Sequence, residues 1–232
     1  MITNTENPSV RRSTPKIKVS AFRWVPPFAR GLVRDLRVRW ALEEAGLPYE
    51  TRLLGPEDKN SKAYRAMQPF WQVPVYEEDG LVVFESGAIL LHIARKSDVL
   101  MPADAKEQAR MNAWMFAALN SIEPRVQHLT GLDLFHAEED WAKARRPGAL
   151  KDARERLTAL SDWLDGRDYL ENRFTVADLM MTTVLRLLRH TDVVTRMPTL
   201  EAYRLRCEAR PAFARALAAQ MADFTDEMPA VA

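Results

Sequence analysis

The order of periodicities between Ile17 and Leu54 narrows the fold more than any other feature of the chain. "IKVSAF" (Ile17–Phe22) is short and apolar-rich, and reads as a strand. Residues 36–45 switch to helical spacing, with Val38, Ala41, Leu42 and Ala45 at i, i+3, i+4 and i+7. Gly46 can close that helix in the left-handed conformation, and Pro48 stops it from continuing. "YETRLL" (Tyr49–Leu54) is a second strand. Strand, helix and strand at this spacing imply two parallel strands joined by a right-handed crossover.

Residues 55–61 are polar and read as a loop. "VPVYE" and "LVVF" then flank Glu78, Asp79 and Gly80, a hairpin signal in which the glycine supplies positive φ. A helix over 86–96 completes the order βαβ, then ββα. Pro74 sits between two valines at the start of the hairpin, where a missing N–H would weaken an interior ladder. Glu85 and Ser86 sit where the second hairpin strand gives way to the helix.

Beyond a connector over 97–104 no strand is evident. Residues 107–122 are helical, with Met111, Trp114, Met115 and Ala118 at helical spacing, and Pro124 interrupts them. Residues 131–148 read as a charged loop dotted with aromatics, and 149–164 as a helix ending near Gly166. "FTVADLMMTTVLRLLRH" carries the strongest start signal: Thr175 as N-cap, Asp178 at N3, Phe174 and Leu179 as a hydrophobic staple. Residues 200–209 and Pro211–Ala222 are two closing helices. The domain reading is a disordered tail over 1–15, an α/β unit over 16–97, a linker over 98–105 and an all-helical unit over 106–226.

Charge argues against polyanionic partners. The 232 residues carry 33 basic and 32 acidic side chains, a net charge of +1, whereas nucleic-acid binders usually show a basic excess. No apolar run reaches the length of a membrane span, and "MITNTENPSVRRSTPK" has no apolar secretory core. Cys207 is the only cysteine, so no internal disulfide can form and a reducing cytoplasm is the simplest home. Cys207 is placed beyond the helical core and read as inert. His128, His136 and His190 show no ligand spacing, so no metal is expected. His92 and Asp178 read as structural, and Arg206 and Arg210 as solvated or capping.

The pieces "LRVRWALEEAGLPYE", "QPFWQVPVYEEDGLVVFESGAILLHIA", "RFTVADLMM" and "AYRLRCEARPAF" occur in an order and spacing that resembles the cytosolic glutathione S-transferases, over roughly residues 16–224. The resemblance implies a thioredoxin-like domain followed by an all-helical bundle, and a homodimer with one glutathione site per subunit. It also implies a cis Val73–Pro74 bond, which would turn the Val73 backbone toward the cysteinyl part of glutathione as an added strand would. Ser86, at a helix start, would take the γ-glutamyl carboxylate, and Glu85 the ammonium group. Gln72 would hold the glycyl end, with Lys59 or Lys62 neutralising its carboxylate. Read without the resemblance, Glu85–Ser86 is a capping pair and Pro74 a structural proline.

One family feature is missing. The thiol activator, usually Tyr, Ser or Cys, belongs after the first strand, yet residues 21–48 contain no Ser, Thr, Tyr, Cys or His. Leu32 and Val33 fall at the serine slot and Arg34 at the cysteine slot. A free thiol has a pKa near 8.5, so only about 3% is thiolate at neutral pH without help. Arg34, Arg30 and Arg23 are the candidate cations, and Trp24 a candidate wall of the pocket. Met111, Trp114 and Met115 either line an electrophile pocket or serve domain packing or the dimer interface. The implied activity is conjugation of the glutathione thiolate to a small hydrophobic electrophile. The alternatives are a non-catalytic glutathione-binding or scaffold protein, and a glutathione-dependent peroxidase or reductase. The last of these favours a cysteine in the vacant slot.

Overall fold

The computed structural model describes residues 17–226; the expected tail over 1–15 lies outside them. Strand β1 (Ile17–Phe22) pairs in parallel with β2 (Tyr49–Leu54), from Ile17 opposite Tyr49 to Phe22 opposite Leu54. Helix α1 (Asp35–Ala45) makes the crossover and ends on Gly46 at φ 66°. Strands β3 (Val75–Glu78) and β4 (Leu81–Phe84) add antiparallel to give a mixed sheet of order β2-β1-β3-β4. Their turn holds Asp79 and Gly80 at φ 48° and 84°, the backbone a tight hairpin needs.

Residues 55–61, expected to be a loop, fold into α2 (Pro56–Asn60), followed by α3 (Lys62–Met67). Local polar groups satisfy the free ends: Asp58 Oδ2 accepts the Gly55 N–H at 2.9 Å, and Ser61 Oγ accepts the Tyr64 N–H at 3.1 Å. After β4, α4 (Ser86–Ala94) closes the α/β unit.

The rest of the described chain is helical: α5 (Ala105–Phe116), a π-helical turn (Ala117–Ile122), α6 (Glu123–Phe135), α7 (Asp140–Leu164), α8 (Val176–Leu185), a 3₁₀ turn (Arg186–Leu188), α9 (Pro198–Glu208) and α10 (Pro211–Ala222). Pro124 falls in the first turn of α6, where its missing N–H costs nothing. The expected loop over 131–148 is instead the end of α6 and the first turns of α7. Pro147 lies inside α7, whose buried stripe of Ala142, Ala149, Ala153, Leu157, Leu160 and Leu164 continues on both sides of it. Burial of that stripe overrides the local break. No helix among the described residues is long and apolar enough to cross a membrane.

One apolar cluster joins the sheet to the bundle through Val19, Trp40, Tyr76, Met180, Tyr203 and Phe213. Trp40, fully buried, meets Phe213 edge-on at 4.8 Å. Cys207 is part of this cluster rather than beyond it, and burial pushes its thiol up to about 12. Helix α10 returns to α1. Gln220 Nε2 donates to Asp35 Oδ1 at 2.7 Å, and buried Arg39 donates to Asp35 at 2.8 Å and to Asp223 at 2.6 Å. Arg210, expected to be solvated, instead grips Glu44 of α1 at 2.6 and 2.8 Å, with its guanidinium 3.8 Å from the Phe174 ring centre.

Candidate active site

The hairpin entry is held by a relay of hydroxyls. Val75 N–H donates to Ser20 Oγ at 2.7 Å, Ser20 lies 2.8 Å from the Tyr64 hydroxyl, and Tyr64 donates to the Gln72 carbonyl at 2.7 Å. The Tyr64 proton is committed to Gln72, so Ser20 is the donor to Tyr64. The Val73–Pro74 bond that this relay brackets is cis. Val73 stands outside the β1–β3 ladder, whose paired residues are Ile17 to Val19 and Tyr76 to Glu78.

At the other end of the hairpin, Glu85 has φ 69° and ψ 114°, a backbone that side-chain-bearing residues rarely adopt. That turn exposes the Glu85 side chain and buries Ser86 as the first residue of α4. Ser86 is met by a residue that sequence reasoning missed. Arg37 of α1, 3% exposed, donates from Nη1 to Ser86 Oγ at 3.2 Å. The same guanidinium reaches Glu123, the first residue of α6, at 2.9 and 3.3 Å.

Arg34 shares that carboxylate. Its Nη2 and Nε donate to Glu123 Oε1 at 2.8 and 3.2 Å, and Nη2 also reaches Gln127 Oε1 at 3.1 Å. Burial alone would raise the Glu123 carboxyl, but Arg37 and Arg34 outweigh it and hold the group below the usual range. Burial draws the Arg37 guanidinium below its ordinary value, against the pull of Glu123. Arg34 and Arg37 share Glu123, and Glu85 adds a second carboxylate near Arg37. The buried guanidinium and the free N–H groups at the start of α4 are what suit this place to a carboxylate ligand. Arg34 and Arg37 are three residues apart and so share a helix face. That spacing was the one sequence signal for Arg37.

A cleft of about 570 Å³ opens beside Arg34 and Gln127; Glu85, Ser86, Arg37 and Glu123 lie outside its lining. Of the expected residues, Arg34, Lys59, Gln72 and Val73 line it. Pro74 is buried behind Val73. Arg34 links the cleft to Ser86 through Glu123 and Arg37. Behind the cleft lies an apolar pocket of about 350 Å³, walled by Phe28, Leu32, Leu134, Phe135 and Leu187 among others.

A profile of the glutathione S-transferase N-terminal domain matches residues 29–95. Over 179 residues the chain is 31% identical to glutathione S-transferase alpha-2 of Rattus norvegicus, covering 75% of this chain and 78% of the relative. The chain belongs to the cytosolic glutathione S-transferase superfamily. Glutathione S-transferase 4 of Zea mays is 27% identical over 212 residues, covering 86% of this chain and 91% of the relative. Among solved structures, a glutathione transferase from Burkholderia graminis with two glutathione molecules bound per subunit matches with a TM-score of 0.75 and 25% identity, over 88% of each chain. Ure2p in complex with glutathione shares the fold, with a TM-score of 0.74 at 21% identity, over 87% of this chain and 97% of that one.

In this glutathione transferase the β1–α1 segment, where the sequence resemblance puts the activator, is fixed by two arginines of the 3₁₀ turn after α8 and its C-cap. Arg189 Nη2 donates to the carbonyls of Phe28 and Arg30 at 2.9 and 2.6 Å, and Arg186 to that of Gly31 at 3.2 Å. Arg30 is turned out of the cleft: it reaches Asp226 at 3.0 Å and the Thr225 carbonyl at 2.8 Å. Residues 225 and 226 outcompete the cleft for its charge, so the structure does not bring Arg30 to the site. Trp24 is half-buried and lies outside the cleft lining. Arg34 alone of the catalytic candidates faces the cleft.

The structure also moves the electrophile-pocket candidates. Met111 and Met115 are buried in the core. Trp114 packs on Trp163 at 5.1 Å and donates its indole N–H to Glu171 at 3.1 Å. The face of α5 that carries the methionines turns inward, so these residues pack the bundle. The apolar wall comes instead from the β1–α1 segment, Leu187 and the end of α6, a stretch whose glycine at 131 had suggested a loop.

Proposed function

We propose that this glutathione transferase binds glutathione between residues 72–73 and 85–86 and conjugates its thiolate to an apolar electrophile. In this reading Val73 offers its backbone to the cysteinyl unit, while Gln72 and Lys59 take the glycyl end. Glu85 takes the ammonium group, and Ser86 backed by Arg37 takes the γ-glutamyl carboxylate. Arg34, the one charged expected residue common to the cleft and the Glu123 network, supplies the field that lowers the thiol pKa. Each unit of lowering is worth about 1.4 kcal/mol in favour of thiolate. The thiol proton leaves to solvent, sulfur bonds to the electrophilic carbon, and the leaving group departs with its electron pair.

The observation that carries this reading is the continuous Arg34–Glu123–Arg37–Ser86 network, which joins an open cleft to the N-terminus of α4. The test is titration of thiolate absorbance in the protein–glutathione complex, alongside turnover of 1-chloro-2,4-dinitrobenzene. A bound thiol titrating clearly below 8.5, with turnover, supports transfer. The absence of any hydroxyl or thiol from residues 21–48 favours a second reading, glutathione binding without transfer. Binding with an unshifted thiol would establish that second reading.

The assembly proposed is a homodimer. Strand β4 lies at the sheet edge, and Phe70, Trp71, Leu81, Val82 and Phe84 are exposed on or beside it. A cluster of large apolar side chains along an open edge is suited to burial against a second copy. Sedimentation at micromolar concentration tests it. A cytoplasmic location is proposed on the strength of the single buried cysteine.

A further inference from the structure

The cleft and the apolar pocket share Phe28, Ala29, Leu32, Val33, Gln127 and Phe135. They are two lobes of one cavity, and Phe28 and Phe135 stand on the boundary. Their rings meet edge to face, with centroids 5.2 Å apart and planes at 81°, the geometry that two aromatic quadrupoles prefer. The outer lobe holds Arg34, Lys59 and Gln72. The inner lobe is lined by no charged side chain. Of its two polar side chains, Thr130 has its hydroxyl proton engaged and Gln127 has its oxygen engaged, which leaves the neutral Gln127 amide N–H as the polar donor at the boundary of the two lobes. The Thr130 hydroxyl donates to the Leu187 carbonyl at 3.2 Å, and Gln127 Oε1 accepts from Arg34 at 3.1 Å.

We propose that the Phe28–Phe135 pair is the specificity gate of this site, admitting to the inner lobe a compact, uncharged aromatic group. The proposal rests on the transferase reading and names the substrate class for it. A charged substituent would lose its hydration with no charged partner inside, a loss that a single neutral amide and an apolar wall do not offset. A ring inserted beside the pair gains an aromatic contact, whereas a long biaryl must displace Phe135 and forfeit the Phe28–Phe135 contact. The gate has one fixed and one free leaf. Phe28 is anchored through its carbonyl by Arg189 at 2.9 Å. Phe135 is the last residue of α6 and 64% exposed. Arg189 does not itself line the cavity and acts only through the Phe28 backbone, as a positioning residue for Phe28.

Calorimetry with glutathione S-conjugates tests the gate without requiring turnover. The probes are the 2,4-dinitrophenyl conjugate, a 4-carboxy-2-nitrophenyl conjugate of similar size and a biphenylmethyl conjugate. Each affinity is taken relative to glutathione itself in the same variant. The intact protein should favour the dinitrophenyl conjugate over both others by at least tenfold. Phe135→Ala should shrink the preference against the biphenylmethyl conjugate at least fivefold and leave the preference against the carboxylate in place. Arg189→Met should shrink the same size preference, and Arg189→Lys should restore it, which a general loss of stability would not do. Equal ratios in the intact protein and Phe135→Ala would overturn the gate while leaving glutathione binding intact. Failure of the intact protein to bind glutathione or any conjugate would overturn the transferase reading, and the gate with it.

Discussion

Arg37 Nη1 donates to the Ser86 hydroxyl across 3.2 Å, and both side chains are sealed from solvent. The first helix thus grips the first residue of the helix that follows the sheet, at the point where the proposed ligand carboxylate would sit. Arg37→Met would leave Glu123 buried with one cation in place of two. Removing one partner of a buried ion pair typically costs about 3–5 kcal/mol. Urea denaturation should show a loss of that order, and calorimetry should show weaker glutathione binding. Arg37→Lys should recover much of the stability and less of the affinity, because an ammonium cannot serve Ser86 and both Glu123 oxygens at once. A stable Arg37→Met protein with undiminished affinity would remove Arg37 from the site.

Arg34 and Glu123 should move the bound thiol in opposite directions. Arg34→Ala removes a cation from the cleft and should raise the thiol pKa by about one unit or more. Glu123→Gln removes the anion between the two arginines and should lower it. Thiolate absorbance against pH reads both. Shifts of the same sign in the two variants would rule out control by this charge cluster.

Glu85 sets stability against function. Its φ of 69° costs about 1–3 kcal/mol in a side-chain-bearing residue. Glycine adopts such a backbone freely but gives up about 0.5–1 kcal/mol of unfolded-state entropy. Glu85→Gly should therefore be as stable as the parent or more so, yet bind glutathione at least tenfold more weakly. Glu85→Gln should weaken binding without the gain in stability. A tightly binding Glu85→Gly protein would show that the carboxylate has no role in the clamp.

Ser20→Ala should separate scaffold from chemistry. It strands the buried Val75 N–H and breaks the link to Tyr64, which should cost about 1–3 kcal/mol. The thiol pKa should not move, because Ser20 faces the interior behind the hairpin. A shifted thiol in a protein of unchanged stability would make Ser20 the missing activator.

Asp178 gives a pH test. Burial raises its carboxyl to about 6, against the hydrogen bonds it accepts from Leu170, Thr175 and Tyr203. The folded state then holds a proton that the unfolded chain, at 3.8, has released. The stability from this proton is complete below pH 3.8 and is lost as pH rises through 6. Two units correspond to about 3 kcal/mol. Between pH 4 and 6.5 the parent should therefore lose about that much stability relative to Asp178→Asn. Parallel stability curves for the two proteins would mean that Asp178 is ionised throughout.

What was legible in the chain was whatever local chemistry decides. Gly46 and Pro48 ended α1, and Thr175 with Asp178 began α8, because caps act within one turn. The hairpin and its proline were legible for the same reason. Where a distant surface decides, reading failed. Gly131, Pro147 and Gly148 look like breakers until the stripe from Ala142 to Leu164 is seen to be buried. Arg37 looked like one more charged position on a helix, because Glu123 lies 86 residues away. Met111 and Met115 had the chemistry of a pocket wall, but the rotation of α5 was not written in their spacing.

The meeting of α1 with α10 sets a timetable for synthesis. Arg39 and Asp35 sit buried in the first helix, and Gln220 and Asp223, which complete their hydrogen bonds, follow 185 and 184 residues later. A nascent chain carrying only the sheet and α1 keeps those charges wet, so the α/β unit should reach its final packing only after α10 has been made. A fragment cut after α4 should emerge incompletely packed and open to proteases, and a peptide carrying α10 should be the piece that closes it.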